Sequence, residues 1–415
     1  MTDRFIQKPV ILNDDHSSGR LKVSLLMSLL REHPYQAEVA ATFKTDEIAG
    51  EYIQVDHIDT IFKRIQYINQ HFQRFSVSAQ SKHINIRQSK DPVEELANPL
   101  PLIFNFEEYA EIDEIKSDLN CYAIYDAKNT YFDTYDMAKY ANRLFKTGLS
   151  ELAQYNLDYF KELAEADKRY NRYRSYRLVA NSDQLFLRGI TSVDRYYEYG
   201  VDFTFVVTML ALHRDMKRNE GNQYAISSAA SSESKLELII TDKRLKDAGA
   251  FGKASSAIIV TTNDLGQGSL NYSKIIRVGG RLHGGVYLFN SNEEANNSKL
   301  IISHRTSPKK TLENLTELDT ILNDTEDFIK DLLAVKAIKT PDELRARIEY
   351  KLTNRRSAFR DIMALRDIFK TKIDNEISAF AKLLAMCDKA EQLEIDYDLK
   401  DKLRYIISDI ILSKK

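Results

Sequence analysis

The chain has 415 residues, 43% of them hydrophobic and 29% charged, and its 59 basic and 61 acidic side chains leave a net charge of −2. This composition excludes a chain too polar to collapse, and the length exceeds what one hydrophobic core usually holds, so two or three domains are expected. Near-neutrality also excludes a surface that is cationic throughout, so any nucleic-acid site has to be a local patch.

Cys121 and Cys387 lie far apart, which excludes a disulfide framework and a paired-cysteine metal or redox site and points to a reducing, cytoplasmic setting. Residues 1–18 interleave Asp3, Arg4, Lys8, Asp14 and Asp15 with apolar residues, offer no secretion-signal core and read as a mature start. The longest apolar stretch, Val201 to Leu212, is too short to span a bilayer and contains Asp202 and Thr204, so no membrane segment is expected. Tryptophan is absent beside 23 tyrosines and 19 phenylalanines. That bias is compatible with a polar binding surface, and AT-rich coding explains it more simply.

In chain order, residues 1–100 read as a mixed α/β region. Leu21, Val23, Leu25, Leu26, Leu29 and Leu30 predict a short helix ending before His33-Pro34, and Ile58, Ile61, Phe62, Ile65, Ile68 and Phe72 form a helical stripe. The polar stretch from Ser78 to Pro101, punctuated by Pro92, Pro99 and Pro101, reads as a linker or exposed hairpin. Residues 101–306 then give a helical lead-in and a β-rich core. Over 133–168, Leu152, Tyr155, Tyr159, Phe160 and Leu163 are spaced for one buried helix face. Runs at 236–240, 257–260, 275–278 and 286–289 are short, β-branched and bounded by turn residues, and eight of the 14 glycines fall between Gly249 and Gly285. An antiparallel β-rich central domain follows, with one helix over Asp202 to Met216.

After Pro308 glycine disappears, and residues 307–415 read as an α-helical C-terminal third. Leu312, Leu315, Leu318, Leu322, Phe328, Ile329, Leu332 and Leu333 keep helical register. Thr340-Pro341-Asp342-Glu343 announces a further helix, with threonine as N-cap, proline in the first turn and Glu343 closing a capping box. A stripe through Phe359, Ile362, Met363, Phe369, Ile373, Ile377, Phe380 and Leu384 and an amphipathic segment over 399–412 complete a bundle, packed within the chain or used for homo-oligomerisation. The fold class expected is α+β.

Motifs of high specificity are few. No phosphate loop occurs, the glycine runs at 266–268 and 279–285 suit turns between strands, and the histidines show no metal-ligand spacing, so neither cofactor nor metal is expected. His283, between glycine pairs, reads most simply as a solvated loop histidine, with a ligand or base role as the alternative, and the acids of 324–327 read as a solvated helix face. Arg345, Arg347, Arg355, Arg356, Arg360 and Arg366 alternate with acids and predict salt-bridged helix surface.

The chemically informative cluster runs from Lys168 to Arg177 and continues through Arg188 and Arg195-Tyr196. Guanidinium groups neutralise phosphates and phenol rings stack on unpaired bases. That makes Arg172, Arg174, Arg177, Arg188 and Arg195 candidate phosphate ligands, and Tyr173, Tyr176 and Tyr196 candidate stacking rings. The competing reading is a helix end running into an edge strand, with arginine packed over tyrosine.

Two phrases in this region carry a family resemblance. Leu187-Arg188-Gly189-Ile190-Thr191-Ser192-Val193-Asp194-Arg195-Tyr196, and Ile259 to Leu270 ahead of Ile275-Ile276-Arg277-Val278, are similar to phrases of the phage and plasmid-like proteins with the domain of unknown function nine-three-two. The resemblance covers about residues 170–290. It departs after the second phrase, where the family continues into Cys-Asn and this chain runs Gly279-Gly280-Arg281. It implies a phage or mobile-element protein linked to DNA metabolism. Asn263 and Gly266 suit a turn needing positive φ, and if the two phrases meet, Arg188, Arg195 and Tyr196 share a surface with them.

The leading expectation is therefore a non-enzymatic protein that prefers single-stranded nucleic acid. The alternatives are an assembly protein that oligomerises through its C-terminal helices and a metal-dependent nuclease built from dispersed acids.

Overall fold

The structure, a computed structural model, describes the chain except for residues 1–4, 6, 90–100, 107–118, 165, 183, 267, 280–284, 290–298, 317, 319–332, 334–338, 371–376 and 413–415. Pro92, Pro99, His283, the acids of 324–327, the helical positions Leu322, Phe328, Ile329 and Leu332, and Ile373 lie outside the described residues.

As far as His71 the chain forms β1 (Lys8–Pro9), β2 (Leu21–Lys22), α1 (Val23–Met27), α2 (Gln36–Phe43), β3 (Tyr52–Ile53), β4 (Val55–Asp56) and α3 (Ile58–His71). The expected stripe on α3 is buried from Ile58 to Ile68. Next come β5 (Gln73–Gln80), β6 (Ile84–Gln88), β7 (Leu102–Phe106), β8 (Asn120–Ala123), α4 (Ala127–Asp133), α5 (Ala138–Lys146), α6 (Ser150–Leu163), β9 (Tyr173–Asn181) and β10 (Gln184–Thr191). Their strands make a six-stranded sheet in the order β5-β9-β10-β8-β7-β6, antiparallel except where β8 runs parallel to β10. One face of this sheet buries Val77, Tyr176, Leu178 and Leu187 against α4, α5 and α6.

The second sheet has nine strands. It is built from α7 (Gly200–Arg218) onward by β11 (Tyr224–Ser231), β12 (Lys235–Asp242), β13 (Lys246–Asp247), β14 (Lys253–Asn263), β15 (Leu270–Val278), β16 (Val286–Phe289) and β17 (Lys299–Ile302). Its main path is β1-β11-β12-β14-β15-β16, with β4, β13 and β17 paired alongside. Helix α7 is apolar almost all round, as a helix at the centre of a core must be. It is covered by the sheet on one side and by α1, α2, α3 and α8 (Pro308–Leu315) on the other. Among the described residues no helix is long and apolar enough to cross a membrane.

The remaining helices are α9 (Pro341–Thr353), α10 (Met363–Phe369), α11 (Phe380–Glu391) and α12 (Tyr397–Leu412). The start of α9 is as expected: the Thr340 hydroxyl accepts from the Glu343 N–H at 3.3 Å. Glu343 does not reach back to close the box, because its carboxylate accepts from Arg347 at 2.7 Å. Of the arginine series, Arg347 and Arg360 pair with Glu343 and Asp361 on the surface as expected, whereas Arg345 is tied to Asp342 and Glu349 but is buried.

The α+β class, the antiparallel β-rich centre and the C-terminal helices are as the sequence predicts. Within residues 1–100 the strands divide between the two large sheets: β1 and β4 pair with β11, while β5 and β6 belong to the six-stranded sheet. The C-terminal helices pack within the chain. Helix α8 joins the core of α7, and α9 to α12 bury Leu344, Phe369, Leu383 and Ile411 against Ile276, Val278, Val286 and Leu288 of the large sheet. One expectation is corrected: over its described part the Ser78 to Pro101 stretch is no linker, since β5 pairs with β9 and β6 forms an antiparallel hairpin with β7, and that hairpin is not exposed, because Ile84 and Ile86 are buried.

Candidate functional site at the junction of the two sheets

Strand periodicity decides where the arginine-tyrosine cluster goes. Successive side chains of a strand point to opposite faces. In β9, Arg174 and Tyr176 therefore share the face of Leu178, under the helices, while Tyr173, Ser175 and Arg177 take the other. Tyr176 is buried and packs edge-on to Phe106 at 5.2 Å. The face carrying Arg177 and Arg188 is closed by two turns of the large sheet, 232–234 between β11 and β12 and 264–266 after β14.

These turns are held together by the Asp264 N–H donating to Ser234 O at 3.1 Å. They approach the small sheet so closely that side chains are excluded. A Cβ on Gly189 would stand 2.7 Å from the Leu265 carbonyl oxygen. Gly266, at φ +87°, leaves room for the Ile190 carbonyl and the Thr191 methyl. Asn263 opens the turn without the positive φ expected of it, its side-chain oxygen accepting from the Leu265 N–H at 3.0 Å, and of the two only Gly266 takes the left-handed conformation. The two phrases thus meet: 188–196 lies against 263–266.

A charged cluster fills the junction. Arg177 donates to Asp264 Oδ2 at 3.1 Å and pairs with Glu198. Arg188 donates to Asp264 at 3.3 Å, to Ser234 at 3.0 Å and to Glu198 at 2.9 Å. Tyr196 donates its hydroxyl to Asp264 at 3.1 Å, lies under the Arg177 guanidinium and stacks on His304 at 4.4 Å. His304 contacts the carbonyls of Asn263 and Tyr197. Close by, Arg74 is clamped by Asp202 and Asn69, each at 2.6 Å, and the Tyr125 hydroxyl donates to Glu233 at 2.7 Å.

Electrostatics follow from this packing. Burial opposes the charge of Asp264, but Arg177 and Arg188 beside it outweigh that and hold the carboxyl below its ordinary range. Burial brings the Arg188 guanidinium down to about 10. Burial, and then the charge of Asp264, push the Tyr196 phenol well up. A cavity of about 390 Å³ opens beside the cluster, lined in part by His33, Asn69, Arg74, Glu198, Tyr199 and Asp202.

The junction corrects the predicted site. Arg177 and Arg188 are 2% and 1% exposed and neutralised by Asp264 and Glu198, so they cannot serve as phosphate ligands on an open face; Tyr176 is buried likewise and cannot stack on a base. Tyr196 is half-buried, its faces taken by Arg177 and His304. Arg172 and Arg195 are exposed, Tyr173 is 56% exposed and Arg174 is half-buried. Among the described residues no carboxylate pairs with any of these three arginines, and the Arg172 guanidinium donates to the Arg169 carbonyl at 3.1 Å. Burial, and then repulsion by Arg172, lower Arg174, as expected of two cations with no acid between them.

Sequence reasoning missed Asp264, Glu198, Arg74 and His304. Two of them had a signal: Asp264 and Glu198 are the acids adjoining the Asn263 turn and the Tyr196-Tyr197 pair. Among the described residues no three His, Cys, Asp or Glu side chains converge as a metal-binding set.

The arrangement defines an α+β protein of two large sheets with a self-neutralised ionic junction and a separate, uncompensated cationic strand end. No family model, no curated protein and no solved structure matches the chain.

Proposed function

We propose that this chain is a cytoplasmic, non-enzymatic protein of a phage or mobile element that binds single-stranded nucleic acid. The site is smaller than the sequence alone suggests: the end of β9 with Arg172, Tyr173 and Arg174, and Arg195 from the segment after β10. The ends of these strands are neighbours, since Thr191 pairs with Ser175.

One observation carries the reading. Arg172 and Arg174 form an uncompensated cationic pair beside a ring that is more than half exposed. An unpaired, half-buried guanidinium is unfavourable until an anion reaches it. Because alternation puts Tyr173 on the opposite face from Arg174, a ligand using both has to turn around the strand end, with phosphate on one side and base on the other. A single strand can bend in that way; a duplex with a persistence length of about 50 nm cannot.

Fluorescence anisotropy of labelled oligonucleotides at two salt concentrations tests this. Salt-sensitive binding to single strands that is lost in Arg172→Ala/Arg174→Ala supports it; no binding at low salt ends it. The assembly reading gains its support from the exposed faces of α5 and α6 rather than from the C-terminal helices.

A further inference from the structure

The sequence predicts that Leu152, Tyr155 and Tyr159 are the buried face of α6. The structure places them outward: Leu152 is 44%, Tyr155 71% and Tyr159 54% exposed, while Ala153 and Leu157 face the core. The helix has two apolar stripes, and the small sheet covers only the one whose residues are small or close to the β6 edge. The other is an i, i+3, i+7 row of one leucine and two tyrosines left uncovered.

Its flanks are charged in an ordered way. Helix α6 also exposes Glu151, Asp158 and Glu162, an i, i+7, i+11 row. Helix α5 packs beside it, buries Ala141 and Leu144, and exposes Lys139, Arg143 and Lys146 at i, i+4 and i+7. Among the described residues none of these six side chains is engaged in an ion pair. Burial, and then the charge of Lys146, lower the neighbouring Lys128, so cations crowd on the α5 side. One helix of the hairpin thus shows a cationic row and the other an anionic row, with exposed tyrosines between.

We infer that a second copy of this chain docks here, about a two-fold axis that lays α5 of each copy on α6 of the other. A two-fold interface brings every patch onto its symmetry mate, so side-by-side rows of opposite sign become complementary. Each cationic row then faces one acidic row, two such pairs in the dimer, and Leu152, Tyr155 and Tyr159 are covered at the centre, where tyrosine is the usual anchor. A polyanion is disfavoured as the occupant. Packed helices lie about 8–10 Å apart, within the Debye length of about 8 Å or close to it at physiological salt, so the acidic row repels what the basic row attracts.

The test uses the full chain, cleared of nucleic acid, in sedimentation or light scattering. Wild type is expected to run as a dimer. Lys139→Glu/Arg143→Glu/Lys146→Glu and Glu151→Lys/Asp158→Lys/Glu162→Lys are each expected to be monomers with an unchanged circular-dichroism spectrum. Mixed in equal amounts, the two variants are expected to form a heterodimer, because the all-acidic face of one then meets the all-basic face of the other. A monomeric wild type, dimers of either reversed variant alone, or no pairing in the mixture would overturn the proposal. Since nucleic acid is absent throughout, this outcome is independent of the binding proposed at β9.

Discussion

Arg188 on β10 and Asp264 in the β14–β15 turn form an ion pair of 3.3 Å across 76 residues of sequence, with 1% and 3% of their side chains exposed. Such pairs add little net stability, because desolvation offsets the Coulomb attraction, but breaking one strands a buried charge. The pair therefore specifies how the two sheets meet more than it strengthens either.

Asp264→Asn is expected to destabilise the chain by about 3–5 kcal/mol in urea unfolding, since it leaves Arg177 and Arg188 with Glu198 alone. Adding Arg177→Met and Arg188→Met should recover most of that loss. Asp264 is held below the ordinary carboxylate range, so its stabilisation is present above about pH 4 and is lost as pH falls through its folded value. The variant should show a flatter acid limb. A loss within 1 kcal/mol on removing this carboxylate would contradict the account.

Gly189→Ala and Gly266→Ala should each lower the unfolding midpoint clearly, by about 2 kcal/mol or more. The first clashes with the Leu265 backbone and the second meets both strain and crowding. Gly50, where an added Cβ would have nothing within 4 Å and where φ is not positive, is the matched control. Gly50→Ala should stay within about 0.5 kcal/mol of wild type.

Glu237 carries a pH dependence of the opposite sign. It is wholly buried on β12, and burial outweighs the attraction of Arg404, 2.7 Å away, which Glu391 and Asp401 share. Its carboxyl is pushed up to about 7. The folded state then holds a proton that the unfolded state releases near pH 4.3, so stability falls as pH rises through that window, by up to about 3 kcal/mol. Denaturation midpoints at pH 5 and pH 8 should differ accordingly in wild type and much less in Glu237→Gln.

For nucleic acid, Arg172, Arg174 and Arg195 amount to three phosphate contacts, and log affinity against log salt should have a slope of about −2 on single strands. Tyr173→Ala should weaken binding by about 1–3 kcal/mol with the slope unchanged. Arg195→Ala should reduce the slope by roughly one third. A slope several times steeper would mean that cations elsewhere on the chain do the binding.

The strands of the large sheet are legible in the sequence because 236–240, 257–260 and 275–278 are runs that only burial on both faces explains, and the Thr340 cap because its chemistry is local. Helix α6 misleads because it has two apolar rows, and sequence does not say which of them a neighbour covers. The arginine-tyrosine cluster misleads for a related reason. The alternation that divides Arg174 from Arg177 is visible in the sequence, but the acid that neutralises Arg177 arrives from a turn 87 residues later. The meeting of 188–196 with 263–266 is foreshadowed by the paired phrases, and the glycines that permit it are present in both.

The pairing of β1 and β4 with β11 also bears on how the chain is made. Lys8 waits for Ser231, and Val55 for Tyr224, before either strand has a partner. During synthesis the leading segment therefore emerges long before the ladder it will join, and assembly of the large sheet is governed by distant encounters rather than local ones. Such a topology favours slow maturation and leaves apolar edges uncovered in the interim, so a nascent chain of this kind gains from chaperone protection until its second half is complete.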